Sequence, residues 1–319
     1  MSTIASYYKV EGEKLRRSYK RNLSDFDRWE QKGHAEDYLI YPDNIGPKLA
    51  IDEISLSKGE LYTFVTSKEY KGNKKKLVAI INGTEAKTIT EVLGKISEAK
   101  RNTVSEVSLD MARNMGLAVK GSFPNATQVI DRFHVVKLVM DALQHIRVKY
   151  RWEAIDKEND EIKQAKQKGE KYNPTLLENG DTTKELLARS RYLLYKTPKE
   201  LTVNQTKRSE ILFKKYPIIE QAYKLTLEFR AIYENTTKTI AGERLIQWMD
   251  KVKQTAIQEF NTVMNSINYH KENILHFFNS RSTNAHAESF NAKVKLFRAN
   301  LRGVTKADFF LFRLEKIFG

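Results

Sequence analysis

The sequence predicts an α/β fold, a mixed five-stranded sheet whose final covering helix is separated from the rest of the core by a large all-α insertion. Three observations carry this. Residues 49–81 alternate like strands joined by turns, residues 104–137 read as strand, helix, strand, and residues 135–280 are almost wholly amphipathic helix. In the second stretch each β-branched run ends on an aspartate, Asp110 and Asp131. A right-handed βαβ connection makes the two strands parallel, so both aspartates emerge at the same carboxyl edge of the sheet.

Composition bounds the rest. The 319 residues, 40% hydrophobic and 30% charged, match a globular chain with a full core. There is no cysteine, which excludes disulfides and thiolate-bound zinc and leaves oxygen and imidazole for any metal. No apolar run has the length of a signal peptide core or a membrane span, so a cytoplasmic, nucleoid-associated location is expected. Net charge is +15 with a pI near 9.6, spread along the chain. Such a surface attracts polyanions, of which a phosphate backbone is the commonest in the cytoplasm. Ordinary surface lysine accounts for the same excess, so charge supports nucleic acid without specifying it.

In chain order, residues 1–46 carry Tyr7, Tyr8, Val10, Leu15, Tyr19 and Leu23 among many basic residues. They predict a basic helical connector, without the pattern of a complete DNA-binding module. Residues 47–134 predict the first part of the core. Strands at 49–56, 61–66 and 77–81 form an antiparallel meander, a helix follows at 88–99, and the strand–helix–strand unit completes the stretch. Asp52 and Glu53 fall inside the first, otherwise apolar strand, where an unpaired carboxylate is expensive. Three strands, helix, strand, helix, strand is the connectivity of the ribonuclease-H-like fold. Its first strand is central and adjoins the fourth, which would set Asp52 beside Asp110.

Residues 135–280 predict an all-helical insertion of roughly 140 residues, too long for a loop. Its helical segments are expected at 136–150, 184–195, 205–215, 218–235, 238–254 and 256–270, with a solvated charged stretch at 153–171. Residues 281–319 complete the core. Ser282, Thr283 and Asn284 offer N-caps for a helix starting near Ala285. At about 100° per residue, Phe290, Val294, Phe297 and Leu301 form its apolar stripe, and Glu288, Asn291 and Lys295 share the opposite side. A solvated surface glutamate would give the same pattern. The company of Asn and Lys, and the fold's need for a third carboxylate on a C-terminal helix, favour a functional Glu288.

These stretches resemble the DDE-type transposases of bacterial insertion sequences, in the ISL-three-type branch. The matching segments are IDEISLSKGELYT (51–63), VSLDMARNM (107–115), VIDRFHVVKL (129–138), STNAHAESFNAKVK (282–295) and GVTKADFFLFRLEKI (303–317), together with the long helical insertion. The resemblance implies a catalytic and metal-holding triad of Asp52, Asp110 and Glu288. It also implies two Mg²⁺ ions, replaceable by Mn²⁺, supporting strand cleavage and joining of the 3′-end to target DNA. Asp131 and His134 match the D-x-x-H signature found after the last core strand in several transposase groups. They are expected near the metals, orienting DNA or a carboxylate together with Asn291 and Lys295. A structural histidine capping the next helix fits His134 equally.

Lys293, Arg298 and Arg302 are expected on the DNA backbone beside Lys295, with solvated helix charges as the alternative for each. Partners are transposon ends and target DNA, with homo-oligomerisation on DNA. Members of this branch begin with a zinc-binding segment and a helix-turn-helix, and this sequence shows neither. End recognition is therefore expected from a separate polypeptide, or this is a fragment of a longer chain. Two rivals stay open: a catalytically inactive DNA-binding protein derived from a transposase, and a ribonuclease-H-like structure-specific nuclease.

Overall fold

The computed structural model describes residues 2–56, 59–69, 76–234, 236–300 and 307–319. It divides the chain into two compact units, residues 1–131 with 282–319, and residues 132–281.

In the first unit the chain opens with helices α1 (Ser2–Tyr7) and α2 (Gly12–Ser18), short helical turns, and strand β1 (Tyr38–Ile40). Then come β2 (Lys48–Ser55), β3 (Leu61–Ser67), β4 (Leu77–Asn82), α3 (Ala86–Gly94), α4 (Glu98–Arg101), β5 (Glu106–Leu109), α5 (Arg113–Ser122) and β6 (Thr127–Ile130). The sheet order is β1-β4-β3-β2-β5-β6. β2 pairs antiparallel with β3, and parallel with β5 through Lys48↔Glu106, Leu49↔Val107 and Ala50↔Ser108. β5 and β6 are parallel in turn.

The sheet has six strands where five were expected. The added one is β1, pairing antiparallel with β4 through Leu39↔Ile80 and its neighbours. Three residues are too few for an alternating pattern to declare itself, and β1 forms because β4 offers it an open edge. Residues 1–46 therefore do more than connect.

Alternation along the strands divides the core between two faces. Leu49, Ile51, Val65, Val107 and Leu109 pack with Ile89, Val92 and Leu93 of α3 and Met115, Ala118 and Val119 of α5. Ile54, Tyr62, Phe64 and Ile80 pack with Phe290 and Val294 of the helix α14 (Ala285–Asn300) and with Phe309, Phe310, Phe312 and Leu314 of α15 (Ala307–Phe318). Phe26 and Trp29 join this second core, their rings 5.1 Å from Phe309 and 5.5 Å from Phe312 respectively. Glu315 of α15 accepts hydrogen bonds from Trp29 Nε1 at 2.7 Å and Tyr41 Oη at 2.9 Å.

The second unit is helical. α6 (Arg132–Gln167), α7 (Thr183–Arg189), α8 (Val203–Lys215), α9 (Pro217–Ala231), α10 (Lys238–Lys253), α11 (Gln258–Tyr269), α12 (Lys271–Leu275) and α13 (Phe277–Ser280) bury Leu186, Leu212, Phe229, Trp248 and Phe260. Capping boxes start α7 and α8 at Thr182 and Thr202. The charged stretch 153–171, expected to be solvated, is mostly exposed and continues α6 as far as Gln167. Long polar side chains are good helix formers, so their charge keeps that end wet without breaking it. Among the described residues no helix is long and apolar enough to cross a membrane.

Both places where the first unit passes its chain to the second, after Asp131 and before Ser282, lie near Lys68. Its ammonium donates to Ser282 Oγ, sits 3.9 Å from Glu106 Oε1, and feels the charge of Asp131. Burial lowers its pKa to about 8, against the opposing pull of Glu106 and Asp131. An unfolded lysine keeps its proton to about 10.5, so between 8 and 10.5 the folded state binds fewer protons and gains stability as pH rises. Lys68→Met removes that dependence. Thermal melts should show the parent's midpoint rising relative to the variant's from pH 8 to 10.5, with a constant difference between pH 6.5 and 7.5.

Candidate functional site

Asp52 lies inside β2 on the face covered by α14, because it alternates with Ile54, whose side chain belongs to that core. A half-buried carboxylate in a strand needs donors, and those of Asp52 include a backbone N–H and a side-chain amide. Its Oδ1 accepts from the Glu53 backbone N–H at 2.9 Å, and its Oδ2 accepts from Asn291 Nδ2 at 2.6 Å. Asp110 directly follows β5, which runs parallel to β2. The β2–β5 ladder ends at Ala50↔Ser108, and Asp52 and Asp110 each follow that last pair by two residues. Asp110 Oδ1 accepts from the Ala112 N–H at 2.8 Å, a local turn that leads the chain into α5.

Glu53 is the other carboxylate of that apolar strand, and the sequence alone assigns it no role. It emerges on the opposite side of β2 from Asp52, and burial, then the negative charge of Asp110, raise its pKa, against a hydrogen bond from Asn114. Two carboxylates at the ends of neighbouring parallel strands thus repel each other. The signal that could have found Glu53 was present: the strand pattern broken by two acidic residues in succession.

The third carboxylate, Glu288, is exposed on α14. One turn before it, Asn284 is fully buried and its Oδ1 accepts from Ser108 Oγ on β5. One turn after it, Asn291 bonds Asp52 on β2. Glu288 lies between two anchors on the same stripe. Asn291 was expected opposite the apolar stripe. It is instead 9% exposed, buried beside Phe290 and Val294. A wheel ranks asparagine with the polar face, but the sheet under α14 supplies Asp52 as a partner, and a bonded amide tolerates burial.

The other expected residues are dispersed. Lys293 and Lys295 are exposed on α14. Arg298 is drawn into the fold: its Nη2 is 3.2 Å from Glu60 Oε2 and its guanidinium lies 4.8 Å from the centre of the Phe310 ring. Arg302 lies outside the described residues. Asp131 is 2% exposed, with its N–H donating to Leu109 O at 3.0 Å, at the carboxyl edge beside β5. His134 belongs to the first turn of α6 in the second unit, its ring 5.6 Å from that of Phe133.

Among the described residues no three His, Cys, Asp or Glu side chains stand close enough together to hold a metal ion. By type alone, the carboxylates of Asp52, Asp110 and Glu288 are oxygen donors of the kind a hard divalent cation takes. Asn291 Oδ1 is buried without a hydrogen-bond partner. An orphaned buried acceptor costs about 1–3 kcal/mol.

Against known proteins, the family model of the ISL3-type DDE transposases, described as "Transposase", matches residues 49–314. The chain is also similar to the transposase for insertion sequence element IS1001 of Bordetella parapertussis, 22% identical over 270 residues that cover 85% of this chain and 60% of that protein. It thus spans about three-fifths of the length of that curated relative.

Repulsion at the strand ends makes a prediction for the metal-free protein. A glutamate whose folded pKa lies above its ordinary 4.5 leaves the folded state holding extra proton above that pH, so stability falls as pH rises through the window. Glu53→Gln should therefore melt higher than the parent at pH 7, with the advantage shrinking toward pH 4. Asp110→Asn should shrink the same difference at pH 7.

Proposed function

The chain belongs to the ISL3-type family of DDE transposases, and from that premise we propose that it is the catalytic subunit of a bacterial insertion sequence, cutting DNA strands and joining their 3′-ends to target DNA. The observation that carries this reading is the 2.6 Å bond from Asn291 to Asp52. It docks the helix bearing Glu288 on the strand bearing Asp52, beside the strand that Asp110 ends.

In this reading Asp52, Asp110 and Glu288 hold two Mg²⁺ ions. Bound there, such ions would supply Lewis-acid activation of the attacking water or 3′-hydroxyl and charge stabilisation of the leaving oxygen. The chain's own residues do the positioning. Asp52 is oriented by Asn291 and the Glu53 N–H, and Asp110 by the Ala112 N–H, so both are held in place before DNA arrives. Asp131 shares the carboxyl edge with Asp110 and, with His134, is proposed to orient the substrate. Lys293 and Lys295, exposed on the helix of Glu288, are proposed to contact the phosphate backbone, where contacts fix position without reading sequence. Arg298 is proposed to steady that helix through Glu60 and Phe310 while its charge adds to the local field. The substrates are transposon ends and target DNA, bound by an oligomer of this chain together with a separate or attached module that recognises the ends.

Asp52→Asn, Asp110→Asn and Glu288→Gln should each lower Mg²⁺-dependent strand cleavage by at least about a thousandfold with duplex binding retained. Gel analysis of nicked and joined products checks this, and products that are nicked but never joined would indicate a nuclease instead. Lys293→Ala and Lys295→Ala should weaken duplex binding for every sequence alike. Each should reduce the slope of log K against log salt by about one, measured by fluorescence anisotropy from 50 to 300 mM salt.

A further inference from the structure

We propose that Arg147, Arg151, Arg191 and Tyr192 form a second DNA-binding site, on the helical unit, that takes a single-stranded stretch. The three guanidiniums hold its phosphates and the tyrosine ring stacks on a base. The inference rests on the reading of DNA as this chain's substrate and needs nothing from the carboxylates of the first unit.

The site starts from a charge without a counter-charge. Arg147, in α6, is 6% exposed. Its Nε donates to Gln144 Oε1 at 2.7 Å and its Nη1 to Leu187 O at 2.9 Å, both neutral acceptors, and among the described residues it pairs with no carboxylate. Buried charges are ordinarily paired, because burial strips their water and an opposite charge has to replace it. Here the neighbours add to the cost. Arg151 lies one turn further along the same face of α6. Gln144, which holds Arg147, also donates from Nε2 to Arg191 O at 3.1 Å, and so ties residue 191 to the same spot. Burial first, and then the charges of Arg191 and Arg151, depress the pKa of Arg147. Among the described residues neither Arg151 nor Arg191 has a carboxylate partner, whereas nearby Arg189 is taken by Asp181 and Glu185.

Three guanidiniums gathered without a carboxylate form a site for an anion, and the fork of each matches the oxygens of a phosphate. The aromatic rings narrow the choice. Tyr192 is 67% exposed, and the Arg191 guanidinium lies 5.4 Å from its ring centre. Trp152, which follows Arg151 in α6, is 59% exposed. Rings left in water beside cations suit a strand with unstacked bases, whose phosphates take the charges while a base takes the ring face. In a duplex the bases stack on one another, so a duplex engages the arginines alone.

The test uses the full chain and fluorescence anisotropy with a labelled oligo(dT) strand and, separately, a labelled duplex. The side chains changed are all exposed, which leaves the fold intact: Arg151→Ala with Arg191→Ala, Tyr192→Ala, and, as an equal loss of charge at the end of α6, Lys166→Ala with Lys168→Ala. The arginine pair should weaken binding of both DNAs by ~10-fold or more and lower the oligo(dT) salt slope by about 1.4, against less than ~3-fold for the lysine pair. Tyr192→Ala should weaken oligo(dT) binding by ~5-fold or more and leave the duplex within ~2-fold of the parent. An arginine pair that behaves like the lysine pair overturns the inference, and so does a Tyr192→Ala that leaves oligo(dT) at parent affinity or weakens both DNAs alike. In those cases DNA as the substrate still stands. A parent that binds neither DNA overturns that reading and the inference with it. If the arginine pair keeps the parent's DNA affinity but shifts its oligomeric state in sedimentation, the anion is a carboxylate of a second copy and the inference falls.

Discussion

The docking of α14 across the face of β2 and β5 is the constraint on which the first unit depends. Its chain leaves after Asp131 and resumes only at Ser282, so the helix has to find its seat with no short tether to guide it. Loop closure over that length carries an entropic cost that grows only slowly with residues, and a modest set of specific contacts can offset it. Phe290 and Val294 supply apolar burial, which holds the helix down but leaves its rotation loosely determined. The two asparagines supply direction. Ser108 bonds Asn284 and Asn291 bonds Asp52, so helix rotation and helix position along the strand are set together, and the stripe between them carries Glu288.

The same economy appears where the insertion is rooted. Lys68 is mostly buried and meets Ser282 on one side and the field of Asp131 on the other, with Glu106 as its ion-pair partner. A buried ammonium is tolerated only because opposite charges and a hydroxyl surround it. Its position ties the outgoing and returning chain to the same corner of the sheet, while the helical unit keeps a core of its own around Trp248, Phe229 and Phe260.

Electrostatically the protein is a strongly basic chain in which the carboxylates of Glu53 and Asp110 come within each other's field at the ends of β2 and β5. In the proposed function, long-range attraction of a polyanion and local attraction of a divalent cation would be served by different residues. The first needs only many exposed lysines and arginines, and it weakens with salt. The second needs carboxylates held close together, and Glu53, raised first by burial and then by the charge of Asp110, lies in such a field.

By itself the sequence determined the elements whose side chains report on their own neighbours in the chain. Alternation in LAIDEISL and LYTFVT marks β2 and β3, the twin runs ending at Asp110 and Asp131 mark β5 and β6, and the Ser-Thr-Asn run marks the start of α14 at Ala285, although Ser282 and Asn284 accept from Lys68 and Ser108. The ISL3-type family was legible too, because its short segments recur in order along the chain. What only the tertiary structure decided is every pairing between residues far apart in sequence. β1 exists because β4 has a free edge, Arg298 turns inward because Glu60 and Phe310 meet it, and Asn291 is buried because Asp52 waits beneath it. The environment of Glu53 was hidden for the same reason, since Asp110 approaches it only through the β2–β5 pairing. A helical wheel ranks a polar residue by its own solvation, whereas a folded protein ranks it by the partner it finds. That partner belongs to another strand.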